Sequence, residues 1–209
     1  VCLIDTAGER PRLTGELFEE TGSACYVTQD DAFIYTANYH EGSILIYRKE
    51  PGGITLYKRI ETGYKAGCHQ ILFHGRIMMV PCLLRDRVLL FDMDRDFAEA
   101  GSITFPKGTG PRHGVFDQAH KRFFLVSELS NELFLYEAGD GPQFTLKSVQ
   151  KLLPEGRVWS PAAISAAIRL SPDERFLYLS TRHADLITVY RLHGFEVEMI
   201  QQTESGGSY

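Results

Sequence analysis

The sequence predicts an all-β chain built as a β-propeller of four-stranded antiparallel blades, with about four and a half blades present. Three observations predict it. A hairpin followed by a third strand recurs four times. The aromatic that closes each copy, Tyr47, Phe91, Tyr136 and Tyr190, follows the previous one by 44, 45 and 54 residues. The chain also carries 10 Tyr, 13 Phe and 19 Gly, a composition suited to strands and tight turns.

The elements follow in order. Residues 1–20 read as the third and fourth strands of one blade, at 1–5 and 12–19. The blade at 21–63 has strands at 24–27, 33–39 and 43–47, a turn at Gln29-Asp30-Asp31 and an outer strand at 54–60. The blade at 64–107 has a first strand at 69–73, a turn at His74-Gly75, and strands at 77–83 and 86–91. The blade at 108–153 starts at Gly110-Pro111-Arg112-His113, returns through Phe123-Phe124-Leu125-Val126-Ser127-Glu128, reaches Tyr136 and ends in an outer strand at 144–149. An insert containing Trp159, a wall of the site or a packing anchor, leads into the blade at 162–203. That blade has strands at 166–170, 176–182 and 185–190, a turn at Ser171-Pro172-Asp173-Glu174 and an outer strand at 195–200. Residues 204–209 resemble the lead-in to a further blade, and no long helix is predicted. An open ring leaves apolar sheet faces uncovered, so the chain reads as one piece of a larger propeller.

Composition narrows the function. Net charge is −5 and the isoelectric point about 5.8, with no basic patch, so nucleic acid is not an expected partner. No apolar run approaches the roughly 18 residues of a membrane span and no leader is visible, so a cytoplasmic protein is expected. Val1 is not a natural start, however, and leaves room for a lost leader. Cys2, Cys25, Cys68 and Cys82 show neither CxxC nor metal-ligand spacing and read as buried reduced thiols. There is no Gly-rich phosphate loop, no GxSxG elbow and no metal triad, so neither cofactor nor metal is expected.

Comparing the blades singles out two positions. The opening of the first strand is Ala24, His69, Arg112 and Ala166. The close of the second strand, eight residues before the aromatic, is Tyr39, Leu83, Glu128 and Arg182. Structural positions of a repeat keep their character; these vary from small to cationic and anionic. In an antiparallel pair both positions lie at the same end, and the first strand lines the central channel. His69, Arg112, Glu128 and Arg182 should therefore converge at one channel mouth. Taken singly, Arg112 with Glu128 is an ordinary salt bridge, Arg182 a solvated loop residue and His69 a hydrogen-bonded strand end. Together, two guanidiniums suit a phosphate or carboxylate, and imidazole and carboxylate suit proton transfer. Tyr39 and His113 are further substrate-binding candidates, although strand alternation puts His113 on the face opposite Arg112. Arg85 and Arg87, flanking Asp86, read as a solvated face.

Several stretches resemble the seven-bladed propeller lactonase family, which includes the bacterial propeller-type 6-phosphogluconolactonase and the fungal carboxymuconate-lactonizing enzyme. They are Gly110-Pro111-Arg112-His113, Ser127-Glu128-Leu129, Leu170-Ser171-Pro172-Asp173-Glu174-Arg175-Phe176, Thr36-Ala37-Asn38-Tyr39, Cys68-His69-Gln70-Ile71 and Asp86-Arg87-Val88. The resemblance implies seven blades and a metal-free site in the channel mouth, with catalytic roles at His69, Arg112, Glu128 and Arg182. It implies a lactone hydrolase taking a small anionic substrate, 6-phosphogluconolactone foremost. The alternatives are a muconate-type cycloisomerase and a non-catalytic binding propeller. Gly67 stands where the family often has a second His, Cys82 where it has Asp, and the His74-Gly75 turn is short for the family.

Overall fold

The computed structural model describes residues 1–17, 19, 22–153, 155–156 and 158–207. The lead-in expected at 204–209 lies partly outside the described residues. The chain divides into two compact units, Val1–Ile71 and Leu72–Tyr209.

In the first unit β1 (Cys2–Asp5) pairs antiparallel with β2 (Arg12–Glu16). A four-stranded meander follows: β3 (Tyr26–Gln29), β4 (Phe33–Asn38), β5 (Ser43–Glu50) and β6 (Gly53–Glu61). Ile34, Leu45 and Tyr47 of this sheet bury against Val1, Leu3, Leu17 and Ile54.

The second unit holds three such meanders. The first is β7 (Leu72–His74), β8 (Ile77–Cys82), β9 (Arg87–Asp92) and β10 (Ala98–Thr104). The next is β11 (Pro111–Phe116), β12 (Arg122–Ser127), β13 (Glu132–Ala138) and β14 (Phe144–Lys151). The last is β15 (Ile164–Leu170), β16 (Phe176–Arg182), β17 (Leu186–His193) and β18 (Glu196–Glu204). All strand pairs are antiparallel and sheet order follows chain order, as propeller blades require.

Blade stacking explains why the middle of β12, Phe123 to Val126, is an unbroken apolar run. Successive side chains of a strand point to opposite faces. Phe123 and Leu125 pack toward Ile77, Met79, Val88 and Leu90 of the preceding blade. Phe124 and Val126 pack toward Ile168, Leu177, Leu179 and Tyr190 of the following one. With both faces covered, the run from Phe123 to Val126 has no polar residue, and the polar Arg122 and Ser127 stand at the strand's two ends. Neighbouring blades meet through their first two strands: β11 lies beside β8, the second strand of the preceding blade, and β15, the first strand of the following one, also lies beside β12.

The hairpin turns share one device. Asp30 Oδ1 accepts from the amides of Ala32 and Phe33 at 2.8 and 2.7 Å. Asp117 Oδ1 accepts from Lys121 and Arg122 at 2.8 and 3.0 Å, and Asp173 Oδ1 from Arg175 at 3.2 Å. An aspartate bonding backbone a few residues on is a self-contained turn former. The blade begun by β7 has no such Asp and turns instead at Gly75, with φ +55°.

The first strand predicted at 69–73 is only Leu72–His74, so His69 precedes the strand. Cys68 and Cys82 are buried, but Cys2 and Cys25 are exposed; none of the four is in a disulfide.

Candidate functional site

Arg112 sits where β11 departs from regular pairing. Pro111 faces Ser127 and His113 faces Val126, so the register shifts across Arg112 as a β-bulge. A bulge re-aims side chains and breaks the alternation of the two faces. His113 therefore does not point away: Arg112 Nη1 lies 3.1 Å from its Nδ1. A guanidinium only donates, so the accepting ring nitrogen is unprotonated.

A second bulge meets the first. The β15–β16 register shifts between Ser165 and Ile168, which takes Ala166 and Ala167 out of the ladder. The Ala166 carbonyl accepts from Arg112 Nη1 at 2.7 Å, and the Ala167 amide donates to Ser180 Oγ at 3.1 Å.

Glu128 lies one residue past β12, and Arg182 is the last residue of β16. Both arginines meet on one oxygen: Arg112 Nε donates to Glu128 Oε2 at 2.6 Å, and Arg182 Nη2 lies 3.1 Å from the same atom. The side chains of Arg112, Glu128 and Arg182 are 12, 14 and 21 % exposed. Two guanidiniums this close, mostly out of water, repel; the carboxylate between them offsets that cost. The triplet carries net charge +1, a balance that suits it to an anion.

Backbone bonds hold the triplet in place. The Glu128 amide donates to the Gly110 carbonyl at 2.7 Å, and the Glu128 carbonyl accepts from Ser165 at 3.2 Å. Ser165 Oγ donates to Asn131 Oδ1 at 2.7 Å, while Asn131 Nδ2 reaches the Ala163 carbonyl at 2.8 Å. Gly110 has φ +65°, and a Cβ there would lie 2.7 Å from Leu129 Cγ. Only glycine satisfies both that backbone angle and that contact.

Sequence comparison missed Asp86. Arg85 and Arg87 are exposed, as a solvated face should be, but Asp86 between them is half-buried, and its Oδ1 and Oδ2 accept from the amides of Gly110 and Gly108 at 2.8 and 2.9 Å. The glycine pair that it holds was the available signal. The Ala166 carbonyl was also missed, because a backbone acceptor has no letter in the sequence.

The first unit holds the other two candidates, as a pair. Tyr39 packs edge-on to His69, ring centroids 5.7 Å apart at 82°, and also against His40 at 5.1 Å. The loop leading to His69 folds back on this turn: Gly67 and Lys65 amides donate to the Tyr39 and His40 carbonyls, each at 3.2 Å. Trp159 is half-buried in the irregular segment between β14 and β15.

A hollow of about 860 Å³ lies at the opposite end of the blades, lined by the turn residues His74, Arg76, His120, Lys121, Asp140 and their neighbours. β11 runs from Arg112 toward that end, so the hollow is remote from the arginine–glutamate triplet. Among the described residues no three of His, Cys, Asp and Glu are grouped to hold a metal ion, and no helix is long and apolar enough to cross a membrane.

Four-stranded antiparallel meanders, stacked side by side in the second unit and with Arg112, Glu128 and Arg182 gathered at strand ends, define β-propeller blades that bear a cationic, carboxylate-containing cluster. Residues 3–209 match the family model of the seven-bladed β-propeller lactonases, and the chain belongs to that family. An uncharacterized protein of Staphylococcus aureus (strain bovine RF122 / ET3-1) is 29% identical over 225 residues, covering 99% of this chain and 65% of the relative. A crystal structure from Lactobacillus plantarum superposes with a TM-score of 0.89 at 24% identity, covering 100% of this chain and 65% of that one. The periplasmic gluconolactonase of Pseudomonas aeruginosa superposes with a TM-score of 0.86 at 17% identity, covering 100% and 64%. The chain thus spans just under two thirds of the length of these proteins.

Proposed function

We propose that this chain carries the reacting groups of a lactone hydrolase that opens a sugar-acid lactone, with 6-phosphogluconolactone the foremost substrate. The observation that carries the reading is the convergence of Arg112 and Arg182, from adjacent blades, on Glu128 Oε2 at 2.6 and 3.1 Å. Family membership and the name of the Pseudomonas neighbour support the reaction class.

In this reading Arg112 and Arg182 hold the phosphate or carboxylate and stabilise negative charge growing on the carbonyl oxygen. Removing one such donor costs about 3 kcal/mol of barrier. Water adds to the carbonyl carbon and loses a proton to Glu128 or His69. The ring C–O bond then breaks and the ring oxygen takes up a proton, giving the open hydroxy acid. Tyr39 and His113 line the substrate. No metal or cofactor takes part, and the protein works in the cytoplasm.

The test is turnover of 6-phosphogluconolactone by the full-length protein with Glu128→Gln and with Arg112→Ala. Both variants should lose at least 100-fold, in line with a lost transition-state donor. Full turnover in both would remove this assignment. Product from a muconate with none from the phosphogluconolactone would instead select the cycloisomerase chemistry, which needs a proton donor and no attacking water.

A further inference from the structure

We propose that Asp86 is a positioning residue for Arg112 and Glu128, acting through the loop that delivers β11; this rests on the lactone-hydrolase reading of their site. The loop between β10 and β11 crosses from one blade to the next as Phe105-Pro106-Lys107-Gly108-Thr109-Gly110. Two of its residues, Gly108 and Gly110, have positive φ, +86° and +65°. Glycines at such angles leave the segment freer than any other residue type would, so its fixed course needs external bonds.

The Leu129 and Ser130 amides supply two, donating to the Thr109 carbonyl at 3.2 and 3.1 Å, and Asp86 supplies three from the preceding blade. Each carboxylate oxygen takes one glycine amide, at 2.8 and 2.9 Å, and its backbone carbonyl accepts from the Phe105 amide at 3.0 Å. Hydrogen bonds to an ionised carboxylate are about twice as strong as neutral ones. Asp86 is itself held in a left-handed conformation, φ +50°, at the end of a short 3-10 turn whose Leu83 is buried. The clamp is thus rooted in the core of the preceding blade.

The peptide it grips leads to both reacting groups. The Gly110 amide goes to Asp86, and the Gly110 carbonyl takes the Glu128 amide at 2.7 Å. Two residues on, Arg112 leaves the strand at its bulge and binds Glu128 Oε2. A displacement of Gly110 therefore moves the guanidinium and the carboxylate together. Misplacement by about 1 Å costs on the order of 100-fold in rate.

The experiment uses the full-length protein and compares Asp86→Ala, Asp86→Asn and Asp117→Asn. Asp117 holds the turn at the far end of the same blade and touches none of the reacting groups, so its variant is the control for lost stability alone. The expected result is a 10- to 100-fold fall in kcat per folded molecule for Asp86→Ala. A smaller fall is expected for Asp86→Asn, which keeps one acceptor, and wild-type kcat for Asp117→Asn. The NMR signal of Arg112 Nε–H should also shift in the Asp86 variants and not in the control. If Asp86→Ala fails to fold, Asp86→Asn and Asp86→Ser carry the same comparison. Wild-type kcat and an unshifted Arg112 signal in folded Asp86 variants would overturn the proposal. Unaltered turnover in Arg112→Ala would instead remove the lactone-hydrolase reading, while the Arg112 signal would still report on the clamp.

Discussion

Arg112 leaves its own blade to reach the backbone carbonyl of Ala166, 2.7 Å away and 54 residues later in the chain. Both partners sit at bulges, one releasing the side chain and the other the carbonyl. The contact joins two sheets beside the proposed substrate pocket.

Lysine at 112 should not replace arginine there. Its single ammonium lacks the planar fork that serves the Glu128 carboxylate and the Ala166 carbonyl in different directions. Arg112→Lys is expected to lower stability by about 1–2 kcal/mol and to lose most of the turnover. Urea unfolding and a lactonase assay on the full-length protein check both; a fully active, equally stable variant would contradict the geometry.

Glu128 is shared, so its two arginines should be energetically coupled. Arg112→Ala leaves Glu128 paired with Arg182, and Arg182→Ala leaves it paired with Arg112. Removing both leaves a mostly buried carboxylate with neither guanidinium partner. The double variant should be less stable than the sum of the singles by about 1–2 kcal/mol. A thermodynamic cycle from urea midpoints measures that excess, and strict additivity would mean that Glu128 does not link them.

The blade repeat was legible because Tyr47, Tyr136, Tyr190 and Phe91 are buried blade by blade, and burial fixes residue type. Arg112, Glu128 and Arg182 were legible because they break the repeat at equivalent strand ends. The bulges were not, since a register shift depends on the partner strand, and His113 was assigned the wrong face for that reason. Asp86 was obscured by Arg85 and Arg87, because a carboxylate between two cations has the pattern of a solvated surface. The run His69-Gln70-Ile71-Leu72-Phe73 ahead of the His74-Gly75 turn reads as a strand, although only Leu72–His74 enters the ladder; Gln70 and Ile71 are buried without joining it.

Gly110 and Gly141 offer a controlled pair. Both have φ +65°, but a Cβ at Gly110 would lie 2.7 Å from Leu129 Cγ, whereas one at Gly141 meets nothing within 4 Å. Alanine at 141 should cost only the left-handed backbone penalty, about 1–2 kcal/mol. Alanine at 110 should cost about 1–3 kcal/mol more for the crowding, and should also reduce turnover because Gly110 carries the Glu128 contact. Thermal unfolding and kcat of the two variants separate the effects; equal losses would mean that the Leu129 contact relaxes freely.

Asp117 sets part of the acid limit of stability. Burial alone would raise its pKa from the ordinary 3.8, but bonds from the Arg122 side chain and from the Arg122 and Lys121 amides outweigh burial and hold it below that value. Arg122 Nε lies 2.9 Å from Oδ2, and the same guanidinium reaches the Gly194 carbonyl of the next blade at 3.0 Å. With the folded value depressed, the native state holds this proton less tightly than the unfolded chain does. The stabilisation is therefore complete above about pH 5 and drains away as pH falls below about 4 and through the folded value. Asp117→Asn should lower stability by about 2 kcal/mol at pH 7, and the gap to wild type should narrow steadily below pH 4. Urea unfolding of both proteins from pH 7 to pH 3 measures the gap. A difference that stays constant with pH would assign the loss to packing of the turn rather than to the carboxylate's charge.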